Sequence, residues 1–163
     1  MTPENYENEL PKNTRDLVKK CYDTGFIEKT SGLEVTFLMN CLSGLIAIVS
    51  EKHRDRIYGK NISDLSTNLP EKFFGTNPKG SCCREILSSE YSEISAVYFI
   101  SNLRNGISHF YIQAEPAHER WEYVIIQDYN VDQDTYEILD KIFEIRLSIT
   151  QLRDLAIAIS ELV

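Results

Sequence analysis

The segment between Glu34 and Glu51 constrains the fold most, because its sixteen consecutive residues carry no charge. A run of this kind is buried either in a protein core or in a membrane. Sixteen residues are short for a membrane span and one side of the predicted helix is polar, so we predict a buried central helix and no membrane partner. A capping box at Ser31–Glu34 predicts where this helix begins, and we expect it to end near Lys52.

A narrow stripe of small and polar residues crosses this otherwise apolar helix. The stripe follows helical spacing and consists of Thr36, Asn40, Ser43 and Gly44. Either another element packs closely against it or a site opens there. We therefore take Asn40 as a candidate substrate-binding residue.

The net charge of −8 is unfavourable for a nucleic-acid partner, but the charge is unevenly distributed. Nine acidic residues and two basic ones lie between Glu115 and Glu144, which leaves the rest of the chain nearly neutral. A local basic cluster follows the central helix, at Lys52, Arg54, Arg56 and Lys60. Such clusters are usually solvated helix ends. Arg54 is retained from it as a second candidate substrate-binding residue.

The four cysteines indicate a reduced compartment, and we expect a cytoplasmic protein. None of them forms a C-x-x-C pair or has a histidine at zinc spacing, so we predict no metal and no cofactor. The adjacent Cys82 and Cys83 are either a redox pair or two ordinary structural residues. The acidic, polar N-terminal stretch does not have the pattern of a secretory signal.

The apolar periodicity predicts a single domain over residues 1–163 that is mainly α: an up-and-down helical bundle with a small antiparallel β-hairpin before the last helix. The predicted helical core spans 13–113 and begins behind the cap candidates Asn13 and Thr14. It includes a long loop over 58–81 and a short helix over 82–87. An acidic β excursion over 114–148 and a final helix over 149–163 follow it. In the excursion, 121–126 and 143–148 have strand patterns and should pair. A capping box at Ser148–Gln151 predicts the start of the final helix.

The dipeptide Asn105-Gly106 raises two alternatives, because Asn-Gly is the strongest short signal for a hairpin turn. A hairpin should alternate on both sides of the turn, whereas neither register here has an apolar face. Apolar residues instead recur every three or four positions, which favours a helix. Gly106 in a helix costs about 1 kcal/mol relative to alanine, so close approach of another helix or of a substrate should compensate.

On that helix, Arg104, Ser108 and Tyr111 fall on one stripe, and Asn105 and His109 form an adjacent pair. Arg104 and His109 are five positions apart, which is about 140° around the axis. The two side chains should therefore flank a groove. The planar guanidinium of an arginine suits a phosphate that is held beside the histidine.

The segment "LRNGISHF" resembles the R-x4-6-H motif of the HEPN superfamily, the helical ribonucleases of prokaryotic toxin and defence systems and of some eukaryotic proteins. Asn105 matches the polar residue that follows the arginine in this family. The segment "FLMNCLSGLIAIVSEK" is similar to the apolar helix of a plasmid- and chromosome-borne HEPN subfamily, which also carries strands before its final helix. The sequence departs from that subfamily at Val49-Ser50, where Val-Pro is usual.

The resemblance implies a metal-independent endoribonuclease of toxin or defence type, with RNA as substrate and a 2′,3′-cyclic phosphate as product. The residue types fit, because an imidazole exchanges protons near neutral pH and a guanidinium stabilises a phosphorane. The expected catalytic residues are Arg104, His109 and Asn105, with Ser108 as a further substrate contact. One histidine is few for both an acid and a base, and the family solves this by forming a homodimer with a shared cleft.

Two further expectations stay open. In HEPN toxins paired with minimal nucleotidyltransferases, the tyrosine of the longer Arg-x4-His-x-Tyr motif receives AMP. The resemblance therefore implies regulatory modification of Tyr111 by an antitoxin, either such a nucleotidyltransferase or another protein. The alternative function is a non-catalytic helical binding module, which the overall acidity and the absence of a basic, aromatic RNA platform favour.

Overall fold

The computed structural model describes residues 3–26, 32–65, 68–76, 82–117 and 120–162. The elements in chain order are α1 (Pro3–Asp23), α2 (Gly32–Lys52), α3 (Arg54–Ile57), a 3-10 turn (Ile62–Leu65), β1 (Lys72–Thr76), β2 (Cys83–Leu87), a second 3-10 turn (Ser88–Glu90), α4 (Ala96–Ser108), β3 (Ile112–Ala117), β4 (Arg120–Val131), β5 (Ile138–Ser148) and α5 (Ile149–Ser160).

The prediction of a mainly α bundle with a small hairpin is wrong, because the strands form a five-stranded antiparallel sheet. Its order is β2-β1-β5-β4-β3. Helices α4 and α5 pack on the sheet, and α2 packs on both of these helices while α1 packs on α2 and α5. Helices on one face of an antiparallel sheet make an α+β architecture.

The predicted loop over 58–81 contains a strand that the sequence analysis missed. Phe73 on β1 is buried and contacts Phe99 of α4 and Phe143 of β5, with ring centroids 5.7 and 5.5 Å away. Phe99 and Phe143 are themselves 5.9 Å apart. Each aromatic pair of this kind contributes about 0.5–1.5 kcal/mol beyond its area burial. These three rings therefore fix β1 to the centre of the fold.

Several smaller predictions can also be compared with the structure. The antiparallel pair β4–β5 and the Ser148–Gln151 capping box are confirmed. The predicted short helix over 82–87 is wrong, since those residues belong to β2. The predicted cap at Asn13 and Thr14 is also wrong, because α1 runs through both positions. Ser31 of the other capping box lies outside the described residues.

Helix α2 has the central position that its apolar sequence predicts, but it is buried on one side only. Its length and composition alone would allow it to cross a membrane. One side of it nevertheless lies in the core between α1, α4 and α5, through Leu38, Leu42, Leu45, Ile46 and Val49. The polar stripe of Thr36, Asn40, Ser43 and Gly44 is exposed on the opposite side. The stripe is therefore open to solvent in the single chain.

Gly106 is required for the contact between α4 and the sheet. A Cβ at this position would overlap the backbone carbonyl oxygen of Gln127 on β4 and would lie 2.8 Å from Cγ2 of Ile126. The close approach that compensates for this glycine therefore comes from a strand of the same chain. The sequence predicts another helix or a substrate at this position, whereas Gly106 is buried against β4.

A Gly106→Ala substitution should destabilise the protein by about 1–3 kcal/mol, because the new methyl group meets backbone that cannot rotate away. Gly44→Ala is the matched control, since a Cβ there meets nothing within 4 Å. That change should stabilise α2 by about 0.5–1 kcal/mol. Urea unfolding of both variants measures the difference. Equal unfolding midpoints for Gly106→Ala and the wild-type protein would contradict the packing described here.

Candidate functional site

The candidate site begins where α4 ends, and His109 is the residue that caps the helix. Phe110 follows with a φ of 58°, which allows the amide of Tyr111 to donate to the carbonyl of Gly106 at 2.9 Å. The amide of Phe110 donates to the carbonyl of Ile107 at 3.2 Å. This is a Schellman motif in which a phenylalanine takes the position usually held by glycine. It reverses the chain immediately after His109.

The chain reversal moves Tyr111 away from the Arg104 stripe on which an unbroken helix would place it. The carbonyl of Tyr111 accepts a hydrogen bond from the amide of Gln127 at 2.9 Å, which ties it to β4. Tyr111 and His109 then line one open cavity of about 480 Å³. The other lining residues are Asn105, Asp128, Tyr129, Val131, Asp132, Gln133 and Tyr136.

The buried carboxylate of Asp128 positions the Asn105 side chain at this cavity. Asp128 is 3% exposed, and its Oδ2 accepts a hydrogen bond of 3.1 Å from Nδ2 of Asn105. Its Oδ1 accepts a bond of 2.9 Å from the amide of Tyr129. Burial raises the pKa of Asp128, while the bonds from Asn105 and Tyr129 and the nearby His109 oppose the rise. Asp128 therefore fixes Asn105 on the His109 side of α4.

Aromatic rings form much of the rest of the cavity. The His109 and Tyr111 ring centroids are 5.8 Å apart, and Tyr111 meets Tyr129 edge to face at 4.9 Å. The Tyr129 hydroxyl donates to Oε1 of Gln127 at 3.0 Å, and Nε2 of Gln127 donates to Oε2 of Glu144 at 2.6 Å. Tyr111 and Tyr129 are partly buried, whereas Tyr136 is 81% exposed at the cavity edge.

Arg104 lies on a different side of α4. Its guanidinium forms an exposed ion pair of 2.8 Å with Oε1 of Glu51, in the last turn of α2. It lines a separate cavity of about 160 Å³ together with Ser108, Ser43 and Ala47. The predicted catalytic residues therefore separate into two groups, with Arg104 at one cavity and Asn105 and His109 at the other.

The three predicted substrate-binding residues lie at three different places in the structure. Ser108 is exposed beside Arg104, as its position one helical turn later predicts. Asn40 is exposed on α2, and Arg54 is exposed at the start of α3. In the part of the chain that the structure describes, neither Asn40 nor Arg54 lines the two cavities on α4.

The sequence analysis missed Asp128, Tyr129 and Tyr136. A signal for Asp128 was present, because Val124, Ile126 and Asp128 alternate along β4 and an acid on a core face is uncommon. Tyr129 and Tyr136 carried no comparable signal. Among the described residues, no group of three or more His, Cys, Asp or Glu side chains is arranged to hold a metal ion.

A family model described as HEPN pEK499 p136 matches residues 1–163, the full length of the sequence. No curated protein and no solved structure matches the chain. The family match agrees with the resemblance carried by the segment around Arg104 and His109.

The buried Asp128 should give a characteristic pH dependence. Because burial raises its pKa, its stabilising contribution is complete below its unfolded pKa and is lost as the pH rises through the folded value. The difference in unfolding free energy between the wild-type protein and Asp128→Asn should therefore fall as the pH rises above about 4. Urea unfolding at several pH values measures this difference.

Asp132→Asn is the control with the opposite sign. The backbone amides of Thr135 and Asp134 lower the pKa of Asp132, so its contribution is present above the unfolded pKa and is lost as the pH falls. The wild-type advantage over Asp132→Asn should decrease below about pH 4. A wild-type advantage over Asp128→Asn that grows as the pH rises would show that Asp128 is not destabilised by burial.

Proposed function

The chain belongs to the HEPN pEK499 p136 family, and on this premise we propose that it is a metal-independent endoribonuclease of toxin or defence type. The observation that carries the proposal is the position of His109, which caps α4 at an open cavity beside an asparagine fixed by a buried carboxylate. Proteins with HEPN domains are often ribonucleases. The proposed substrate is single-stranded RNA.

In the proposed mechanism His109 transfers the protons. A base must take the proton of the 2′-hydroxyl as its oxygen attacks the adjacent phosphorus, and an acid must protonate the departing 5′-oxygen. The products are a 2′,3′-cyclic phosphate and a 5′-hydroxyl. Arg104 stabilises the charge of the phosphorane, and Asn105 orients His109 or the scissile group.

We further propose that the protein acts as a homodimer. The separation of Arg104 from His109 in one chain favours this arrangement, because a second copy would supply another histidine and another arginine to a shared cleft. The exposed stripe on α2, which includes Ser43 beside Arg104, offers a surface of small side chains for such a contact. Two-fold symmetry would then present both motifs to one RNA strand.

Regulation by an antitoxin is part of the same proposal. Tyr111 lines the His109 cavity and is partly buried. Attachment of AMP to its hydroxyl would add a negative phosphate and a bulky nucleoside to a cavity that already contains Asp128 and Asp132. The modification would therefore exclude RNA by volume and by charge.

One observation favours the alternative, a non-catalytic binding module. Arg104 is paired with Glu51, so its charge is partly neutralised and it lines a cavity that His109 does not share. An exposed ion pair contributes only about 0–1 kcal/mol, however, and a phosphate can displace Glu51 from the guanidinium.

The purified protein should cleave single-stranded RNA in the presence of EDTA. His109→Ala should lower the rate about 10²- to 10⁴-fold, because it removes the proton-transfer group. Arg104→Ala should lower it about 10²- to 10³-fold through loss of charge stabilisation. Arg56→Ala, an exposed arginine on α3, is the control and should cleave at the wild-type rate. Gel analysis of labelled RNA measures cleavage, and circular dichroism verifies folding.

Full cleavage by folded His109→Ala would eliminate the proposed site. An absolute requirement for a divalent ion would eliminate the mechanism but would leave the site open.

Glu51→Gln tests whether Arg104 contacts the RNA. Releasing Arg104 from its ion pair should lower the KM for RNA roughly two- to five-fold, which corresponds to an exposed pair of up to about 1 kcal/mol. The control is Glu161→Gln, which removes the same charge at an exposed position at the end of α5. Equal KM values for the two variants would show that Arg104 does not contact the RNA.

A further inference from the structure

We propose that the tip of the β4–β5 hairpin, residues 131–140, docks on the α3 segment, residues 52–60, of a second copy of this chain. This inference deepens the proposed homodimer and rests on it for the two-fold arrangement. It assigns a contact surface to two sequence features that the proposed function leaves aside, the acidic excursion and the basic cluster after α2.

The hairpin tip is an exposed apolar surface. Four of the ten large apolar side chains that are exposed among the described residues lie there, Val131, Tyr136, Ile138 and Leu139. Val131 and Ile138 are paired across the two strands, and Leu139 follows directly, so the group is contiguous. A single exposed apolar residue is ordinary, whereas a contiguous group with a polar rim marks a protein interaction site.

Unpaired carboxylates surround this apolar group. The tip carries four acidic residues and no basic one. Asp132 is occupied within the turn by the amides of Asp134 and Thr135. The side chains of Asp134, Glu137 and Asp140 are exposed and have no hydrogen bond or ion pair among the described residues. A partner for this surface must therefore offer positive charge beside apolar area.

The α3 segment of the same chain has these properties. Four of its nine residues are basic and one is acidic. Arg54 and Lys60 are exposed and form no ion pair in the part of the chain that the structure describes. Tyr58 lies between them and is 80% exposed, so it offers a ring to the apolar tip. Arg56 is two positions from Arg54, which places it on another side of α3 and outside this contact.

Because one chain carries both surfaces, two copies can satisfy each other. A two-fold axis that brings the tip of one copy to the α3 segment of the other makes the same contact twice and closes the pair. Helix α3 begins at Arg54, two residues after the last residue of α2. The contact therefore continues the α2 surface of the proposed homodimer.

The same contact changes the charge beside His109. Asp132 and Tyr136 of the tip line the His109 cavity. Positive charge from the second copy next to this wall would reduce the repulsion that an RNA phosphate meets as it approaches His109. The dimer is thus the form in which the proposed ribonuclease receives RNA most readily.

The test measures association of the full-length protein by sedimentation equilibrium, and the wild-type protein should form dimers. A double variant, Asp134→Lys with Glu137→Lys, places lysines opposite the basic segment. Its dimer should be weaker by about ten- to one-thousand-fold, because attraction becomes repulsion at both contacts. Arg54→Glu with Lys60→Glu should weaken the dimer to a similar degree. Circular dichroism verifies the folding of each variant.

An equimolar mixture of the two double variants is the decisive measurement. In the mixed dimer each lysine-bearing tip faces a glutamate-bearing α3 segment, and the other contact keeps its native charges. The mixture should therefore dimerise with the wild-type affinity, although neither variant does so alone. Lys12→Glu with Lys19→Glu is the control, since it makes the same charge change at exposed positions of α1. This control should dimerise as the wild-type protein does.

Leu139→Ser tests the apolar part of the contact. It should weaken the dimer by about five- to fifty-fold, because apolar area is lost at both contacts. Leu17→Ser is the matched control, since Leu17 on α1 is 50% exposed and Leu139 is 58% exposed. The control should leave the dimer affinity unchanged.

The outcomes separate this inference from the proposed function. A dimer of the hairpin variant as stable as that of the wild-type protein, or no recovery in the mixture, would overturn the docking surface. A wild-type protein that stays monomeric up to its solubility limit would overturn the second copy as the occupant. RNA cleavage by a monomer would overturn this inference and leave the ribonuclease intact. Recovered dimers without any RNA cleavage would support this inference and overturn the ribonuclease.

Discussion

The contact between Gly106 and the backbone of Gln127 determines where everything else at the candidate site lies. It presses the C-terminal turn of α4 onto β4 with no side chain between them. At that separation Asn105 can reach Asp128 on the same strand, and the carbonyl of Tyr111 can accept from the amide of Gln127. A larger residue at position 106 would push the helix end, and His109 with it, away from the sheet.

The cavity is therefore a product of two chain reversals that face each other. One reversal is the helix end at Phe110, and the other is the β4–β5 hairpin around Asp132 and Tyr136. Both contain an aromatic residue with positive φ and a mostly exposed ring, Phe110 at 86% and Tyr136 at 81%. Sparsely populated backbone conformations persist only where the surrounding structure enforces them, and they cluster at functional sites. The rigid sheet between the two reversals supplies that enforcement.

The sequence predicts the elements with strong local signals and misses those whose formation depends on distant partners. Helix α2 is predicted by its long uncharged run, the strand around Val124 by its β-branched and aromatic residues, and the strand around Ile145 by its alternation. Strand β1 was missed because it is five residues long and is buried through rings from α4 and β5. The sequence does not predict the end of α4, because Phe110 occupies the position after the helix where a glycine usually marks a helix end. That one residue also accounts for the position of Tyr111 beside His109.

The acidity that argues against an RNA partner has a local explanation in this structure. Much of it lies in β4, β5 and the hairpin between them, where Asp128 and Asp132 line the cavity and Glu144 is paired with Lys141. An acidic residue in these places acts mainly on its immediate neighbours, because solvent and salt screen the interaction between exposed charges that are more than about 10 Å apart. Arg104 lies on the opposite side of α4, where its nearest partner is Glu51. A phosphate at Arg104 would therefore lie away from the acidic hairpin, so the net charge of −8 and the proposed RNA substrate are compatible.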